Sequence, residues 1–416
     1  MRVNTHLPDT ALHAAPARRA RVCFLYLAQA HHVLHSLSVA LELARRRPDL
    51  EVDVAAASEG VFNYARLLAD SIGGSSITWR LLGPAWLRKM GGGDGIPPKI
   101  PMLAASARTL GGYDVIIAPE RTTAALRGLG VRAGLVYTQH GAGDRAGPFE
   151  PRLARFDLVF AAGPKQRDRM VAEGLVAPHR CVVVGYPKFD LVDALAPALP
   201  RLFANDRPTV LYNPHFSAKL GSWGPWGGRI LRAFAGQSQY NLIFAPHLRL
   251  FGGADPRHVK DLAPFVGHPG IHIDLGTTPA AVDMTYTRLA NLYLGDVSSQ
   301  VYEFLREPRP CLFLNPHHAP WRANESYGHW NFGAVLDSVG DLLPALGSAF
   351  RTHGEYRTAQ IQGFHHTFDL AGPPASIRAA DAIAWLADNL QRTRDRSKED
   401  ASWTSDTQGP PSLPPP

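Results

Sequence analysis

The chain has 416 residues, 45% of them hydrophobic and 19% charged, so it can bury substantial cores and has room for two domains at ~100–200 residues each. The formal charge of +7 bears on association with anionic partners rather than on fold, and the lack of any dense Lys/Arg block speaks against nucleic acid. Cys23, Cys181 and Cys311 stand far apart in apolar runs, the pattern of buried reduced thiols rather than of a disulfide framework or a zinc site. A cytoplasmic location is expected, with peripheral contact at the inner face of a membrane left open.

Residues 1–20 are polar and rich in Ala and Arg, which makes a poor signal peptide and suggests a flexible segment. Apolar β-type runs then recur at Val22–Leu27, Val52–Ala55, Val115–Ala118, Gly134–Thr138, Leu158–Ala161 and Cys181–Val184, with helical stretches such as Leu34–Arg47 between them. This alternation predicts a parallel, doubly wound sheet for a first domain over 21–195. Gly91–Pro98, GGGDGIPP, reads as a flexible loop. A proline-rich stretch, Ala194–Pro208, marks a boundary. The alternation resumes at Thr209–Asn213, Asn241–Ala245, Ile271–Asp274, Leu292–Gly295 and Pro310–Leu314, giving a second domain over 208–392. Its last helix, Ser376–Gln391, could pack on either domain. From 393 to 416 the chain is charged and then Ser/Thr/Pro-rich, the composition of a disordered tail. No run of ~18 apolar residues is free of charges or breakers, so no membrane-spanning helix is expected.

Ligands in open α/β sheets gather at the carboxyl ends of the strands, and four segments place chemistry there. Leu292–Leu305, LYLGDVSSQVYEFL, is a strand, a turn with Asp296, Ser298 and Ser299, and then a helix carrying Glu303. Hydroxyls and free amides at a helix start suit a phosphate, although Asp296 or Ser298 capping the helix is the plainer alternative. Tyr137–Gly143, YTQHGAG, puts His140 on a Gly-flanked turn where a histidine can act as general base. Phe244–Arg249, FAPHLR, sends His247 and Arg249 toward donor phosphates, and His215 in YNPHFS is another anion contact. His31, His32, His35, His317, His318, His365 and His366 lack metal-type spacing with acidic partners, although His31 or His32 could line an acceptor cleft. No GxGxxG follows a strand and no GxxxxGK[ST] occurs, so dinucleotide oxidoreductases and P-loop enzymes lose their best support. The motifs call for no cofactor and no metal.

Three segments appear in the order found in the CDP-glycerol glycerophosphotransferase family of teichoic acid synthesis, which the chain resembles over Val115–Leu314. They are Gln139-His140-Gly141, Val184-Gly185-Tyr186-Pro187-Lys188-Phe189-Asp190, and Gly295–Phe304. The resemblance implies a GT-B fold, two Rossmann-like domains with parallel sheets facing across a cleft, and transfer of a phospho-polyol to a hydroxyl acceptor on a polymer or lipid. It also implies that His140 is the base, that His247 contacts the donor phosphates, that Ser298 and Ser299 bind the donor phosphate, and that Glu303 meets the ribose. Val297 stands where the family has tyrosine, and Ala142-Gly143-Asp144-Arg145 replaces a lysine-containing segment, which leaves donor and acceptor open. The rivals are a UDP-N-acetylglucosamine 2-epimerase, which would press Asp114 and Glu120 into acid–base roles, a glycosyltransferase using a UDP-sugar, and a non-catalytic nucleotide-binding protein.

Overall fold

The computed structural model describes residues 18–405, apart from 75, 92–94, 146, 148 and 197. Much of the N-terminal segment, part of the Gly91–Pro98 loop and the end of the expected tail therefore lie outside the described residues. Strands β1 (Arg21–Tyr26), β2 (Glu51–Ala56), β3 (Thr78–Leu81), β4 (Val115–Ala118), β5 (Gly134–Tyr137), β6 (Leu158–Ala161) and β7 (Cys181–Val183) form the first sheet, in the order β3-β2-β1-β4-β5-β6-β7. The second sheet holds β8 (Thr209–Asn213), β9 (Asn241–Phe244), β10 (Ile271–Ile273), β11 (Leu292–Gly295), β12 (Cys311–Leu314) and β13 (Ala334–Leu336), in the order β10-β9-β8-β11-β12-β13. Every pairing is parallel.

Helices α1 (Leu37–Arg46), α2 (Glu59–Ser71), α3 (Ala85–Arg88), α4 (Lys99–Leu110), α5 (Pro164–Ala172) and α6 (Pro187–Leu195) belong to the first half. The second half carries α7 (Gly228–Ala235), α8 (Thr285–Leu289), α9 (Gln300–Phe304), α10 (Leu342–Thr367) and the final α11 (Ala375–Ser405). Both faces of each sheet are covered, because side chains alternate along a strand. In β1, Val22, Phe24 and Tyr26 enter one core while Cys23 and Leu25 enter the other. All three cysteines are buried and unpaired.

The end of the chain resolves one open point and departs from expectation at another. Ala379, Ile383 and Ala387 of α11 are buried with Leu37, Val39 and Ala40 of α1, so the last helix, which could have packed on either domain, covers a face of the first sheet. It also runs to Ser405 instead of breaking at Arg392, since Arg, Lys, Glu and Gln are good helix formers and neither Gly nor Pro occurs between Ala375 and Ser405. The chain returns past Gly185, whose φ is +87° and where an added Cβ would meet the Asp369 carbonyl at 2.8 Å and the Ala375 Cβ at 2.9 Å. Among the described residues no helix is long and apolar enough to cross a membrane.

Truncating Ile383 should therefore destabilise the first half, although the residue lies near the chain's end. Ile383→Ala leaves a cavity at a fully buried site and should cost ~2–5 kcal/mol in urea unfolding. A loss below about 0.5 kcal/mol would contradict the docking of α11.

Candidate functional site in the cleft

In each sheet one pair of neighbours marks where the strand order reverses, β1 beside β4 and β8 beside β11. A crevice opens at such a point, beyond the carboxyl ends of the strands. From β1 the chain enters a 3-10 turn, Ala30–His35, that carries His31 and His32. From β4 it reaches Pro119 and Glu120, and from β5 the His140 turn. Opposite stand His215 after β8, His247 after β9, and Asp296 to Ser299 after β11. The two sets meet at the glycines of the His140 turn, where an added Cβ at Gly143 would lie 2.9 Å from the Ser299 Cβ and one at Gly141 would lie 3.2 Å from its Oγ.

Backbone contacts set the proton positions on three histidines. His140 places Nδ1 2.8 Å from the Pro119 carbonyl, which can only accept, so Nδ1 carries the hydrogen and Nε2 presents a lone pair. Burial lowers its pKa, against the opposing pull of the Pro119 carbonyl and Glu120, and keeps the ring neutral near pH 7. His215 and His247 are held the opposite way. Their Nδ1 atoms accept from the backbone N–H of Ser217 at 3.0 Å and of Arg249 at 3.2 Å, so each carries its hydrogen on Nε2. The Nε2 of His215 faces an N–H of Arg145, reaching across from the first half.

Arg249 lies over the Phe216 ring at 4.1 Å, and the His215 and His247 rings are 5.4 Å apart. Burial first, then the guanidinium groups, pushes His215 down to about 3 and His247 down to about 4. Among the described residues no carboxylate pairs with Arg145 or Arg249. A cationic, donor-rich cluster of this kind fits a phosphate or diphosphate.

The acidic residues expected at the donor are employed elsewhere. Asp296 is fully buried, and its carboxylate accepts from the backbone N–H of His215 (2.9 Å), Ser222 (2.6 Å) and Val297 (2.6 Å) and from the Ser222 hydroxyl (2.8 Å). It ties the loops after β8 and β11 together from behind, with both oxygens engaged by these donors. Glu303 is buried as well, paired with Lys188 Nζ at 2.7 and 2.8 Å and accepting from the Tyr186 hydroxyl at 2.8 Å. Lys188 belongs to the VGYPKFD segment, so this pair joins the halves, and both Glu303 oxygens have partners within the chain. The helix after Ser299 has only five residues, which weakens the expected dipole effect. Ser298 is buried and its Oγ accepts from the Gln300 N–H at 3.3 Å, while half-buried Ser299 is the N-cap residue, without a side-chain cap bond, and borders the cleft. Asp114 sits at the far end of β4, bound to Arg18 at 2.7 Å, and is removed from the cleft.

Three groups had their place misjudged from sequence: Asp144 and Arg145 looked only like departures from a family pattern, and Glu120 entered only under the epimerase alternative. Glu120 is 3% exposed, and its Oε1 accepts from His32 Nδ1 at 2.9 Å and from the Leu27 N–H at 3.2 Å. Asp144 takes a second crossing between the halves, accepting from Lys165 (2.7 Å), Tyr302 (2.7 Å) and the backbone and ring of His329 (2.9 and 2.8 Å). Burial opposes its charge, but His329 and Lys165 outweigh that and hold the carboxyl below the usual range. Beside this contact lies a cavity of about 690 Å³ lined by Lys165, Arg169, Tyr302 and Phe332, which includes none of His140, His215 and His247.

Two Rossmann-like sheets facing across a cleft of this kind define the GT-B fold. No family model matches the sequence, and no curated protein matches it significantly. Solved structures do match. The wall teichoic acid polymerase TagF, in a variant soaked with CDPG, aligns with a TM-score of 0.56 at 12% identity over 92% of this chain and 90% of that one. The UDP-GlcNAc 2-epimerase of Neisseria meningitidis bound to UDP-GlcNAc aligns at 0.53 and 11% identity, over 88% of this chain and 99% of that one. S. aureus MnaA with UDP aligns at 0.55 and 13% identity, over 88% and 95%. The likeness spans both halves and is one of fold.

Two outcomes follow from the charges. Lys188→Met strands a buried carboxylate and should cost ~3–5 kcal/mol in urea unfolding, most of it recovered in Lys188→Met/Glu303→Leu. The lowered pKa values of His215 and His247 mean that the folded state binds fewer protons than the unfolded state below about 6.5. Their stabilising contribution is full above that pH and is lost as pH falls toward 4. The melting temperature should therefore drop between pH 7 and 5, and drop less when inorganic pyrophosphate is present.

Proposed function

We propose that this chain transfers a phospho-polyol of the glycerol phosphate type from a CDP-activated donor to a hydroxyl acceptor in surface-polymer synthesis. The observation that carries the reading is the opposition of histidine tautomers. A neutral His140 offers a lone pair from the first half, and the Arg145 and Arg249 guanidinium groups with the His247 Nε2–H offer donors beside His215. An acceptor oxygen attacks the phosphorus that bears the polyol while its proton passes to His140 Nε2. The phosphorus–oxygen bond to the nucleotide breaks, and CMP leaves with the electron pair. The cationic cluster holds the charge that builds on the transferred and leaving phosphates, and loss of one such donor commonly costs ~10²–10³ in rate. The order of the three sequence segments and the TagF-like fold support the cytidine donor.

The acceptor is a polymer or a lipid-linked chain, met at the cytoplasmic face of a membrane. Trp86, Met90 and Ile100, exposed by 64%, 58% and 52%, stand with Arg88, Lys89 and Lys99 where α3 and α4 meet, a combination suited to an anionic lipid interface. A UDP-sugar reading, as epimerase or glycosyltransferase, is the alternative. It draws on the buried Glu120 beside His140 as a second acid–base group.

A thermal-shift series separates the two, since a ligand at 100 Kd stabilises by ~2.7 kcal/mol. CDP-glycerol and CMP should raise the melting temperature, and Arg145→Met should remove most of the rise; a response to UDP-N-acetylglucosamine and UDP alone would move the assignment to the alternative. His140→Asn should end CMP release from CDP-glycerol while sparing the shift, and equal loss of both would refute its role as base. A shift without CMP release by the wild type would mark a binding protein.

A further inference from the structure

We infer that Glu120 is a positioning residue for His140, supplying through His32 the negative charge that holds the imidazolium formed when His140 takes the acceptor proton. The inference rests on the reading of His140 as base. Four features lead to it.

Glu120 directly follows Pro119, whose carbonyl orients His140, so one turn sets both the tautomer and the counter-charge. The His32 ring, tied to Glu120 Oε1, lies 4.3 Å from the His140 ring, with the planes tilted by 35°. Glu120 Oε2 is buried and meets no hydrogen-bond partner, which is rare for a carboxylate oxygen and costly unless it serves a purpose. The other acids near the cleft are already satisfied, Asp144 by Lys165 and His329, Glu303 by Lys188, and Asp296 by four donors.

The surroundings keep Glu120 responsive. Burial pushes its carboxyl up to about 7, while Lys99 at the start of α4 and His140 pull the other way. Tyr26 of β1 and Tyr137 of β5 face it as neutral phenols raised by burial, and Arg121 follows it in the chain and acts on His140. His31 and His247 also face His140, and burial keeps both neutral. Glu120 is therefore the acidic group available to answer a positive charge on His140. It touches no substrate and acts on the reaction by way of His140.

The test follows His140 itself in the full chain, by NMR titration of its labelled imidazole with His140→Asn identifying the signal. Glu120→Gln keeps the acceptor for His32 and removes the charge, so the His140 titration should move down by about one unit. If transfer is measurable, kcat should fall at least tenfold with the donor KM within twofold, and the acid limb of the pH profile should shift to lower pH. A folded Glu120→Gln protein in which His140 titrates unchanged overturns the inference. Should that variant not fold, Glu120→Asp replaces it and must move the titration in the same direction by a smaller amount; no movement is again a refutation. Absence of transfer in the wild type with every donor sinks the transferase reading alone, because the titration still decides the role of Glu120.

Discussion

Much of the cleft hangs on one buried carboxylate. Asp296 has no exposure to water, so its charge survives only where donors replace the lost hydration. Burial raises its pKa, and the donors from Ser222, Val297 and His215 pull against that rise. Meeting that demand draws the loops after β8 and β11 together. The Asp296 carbonyl extends the hold, accepting from His329 Nε2 at 2.9 Å and from the Trp330 indole at 2.7 Å. His329 then reaches Asp144, and through it Lys165 of the first half. A single unbroken chain of hydrogen bonds thus runs from the loops after β8 and β11 to α5 of the opposite half.

The seam between the halves combines this polar chain with apolar packing. Tyr186 and Phe189 each pack on Phe368 with ring centroids 4.8 Å apart, beside the buried Lys188–Glu303 pair. Apolar contact supplies most of the adhesion in such a seam, while paired charges fix which groups face one another. The cleft residues can face each other at hydrogen-bond range because these contacts stand close behind them.

Central strands were legible in the sequence because parallel strands buried on both faces read as continuous apolar runs, as VIIA and CLFL do. The edge strands β3 and β13 were not, since each leaves most of its residues partly exposed. Helix α10 was hidden by Pro344, Gly347, Gly354 and Gly363, and it is held by a few buried positions such as Leu346 and Phe364. At the cleft, His140, His215, His247 and Arg249 could be found from their place after strands. Their tautomers could not, because the deciding partners are backbone atoms such as the Pro119 carbonyl. The roles of Asp296 and Glu303 were out of reach for a related reason. Their partners lie 81 residues away at His215 and 115 away at Lys188, and no local pattern records such a pairing.

The placement of α11 bears on how the protein is made. The face of the first sheet that α1 shares with Ala379, Ile383 and Ala387 stays open after Leu195 leaves the ribosome, and it is covered only when Ala375 and the residues beyond have been added. At 5–20 residues per second that interval is roughly 10 to 40 s. During synthesis the nascent first half therefore presents this apolar face while the second sheet is translated, and the face closes only once α11 has been added.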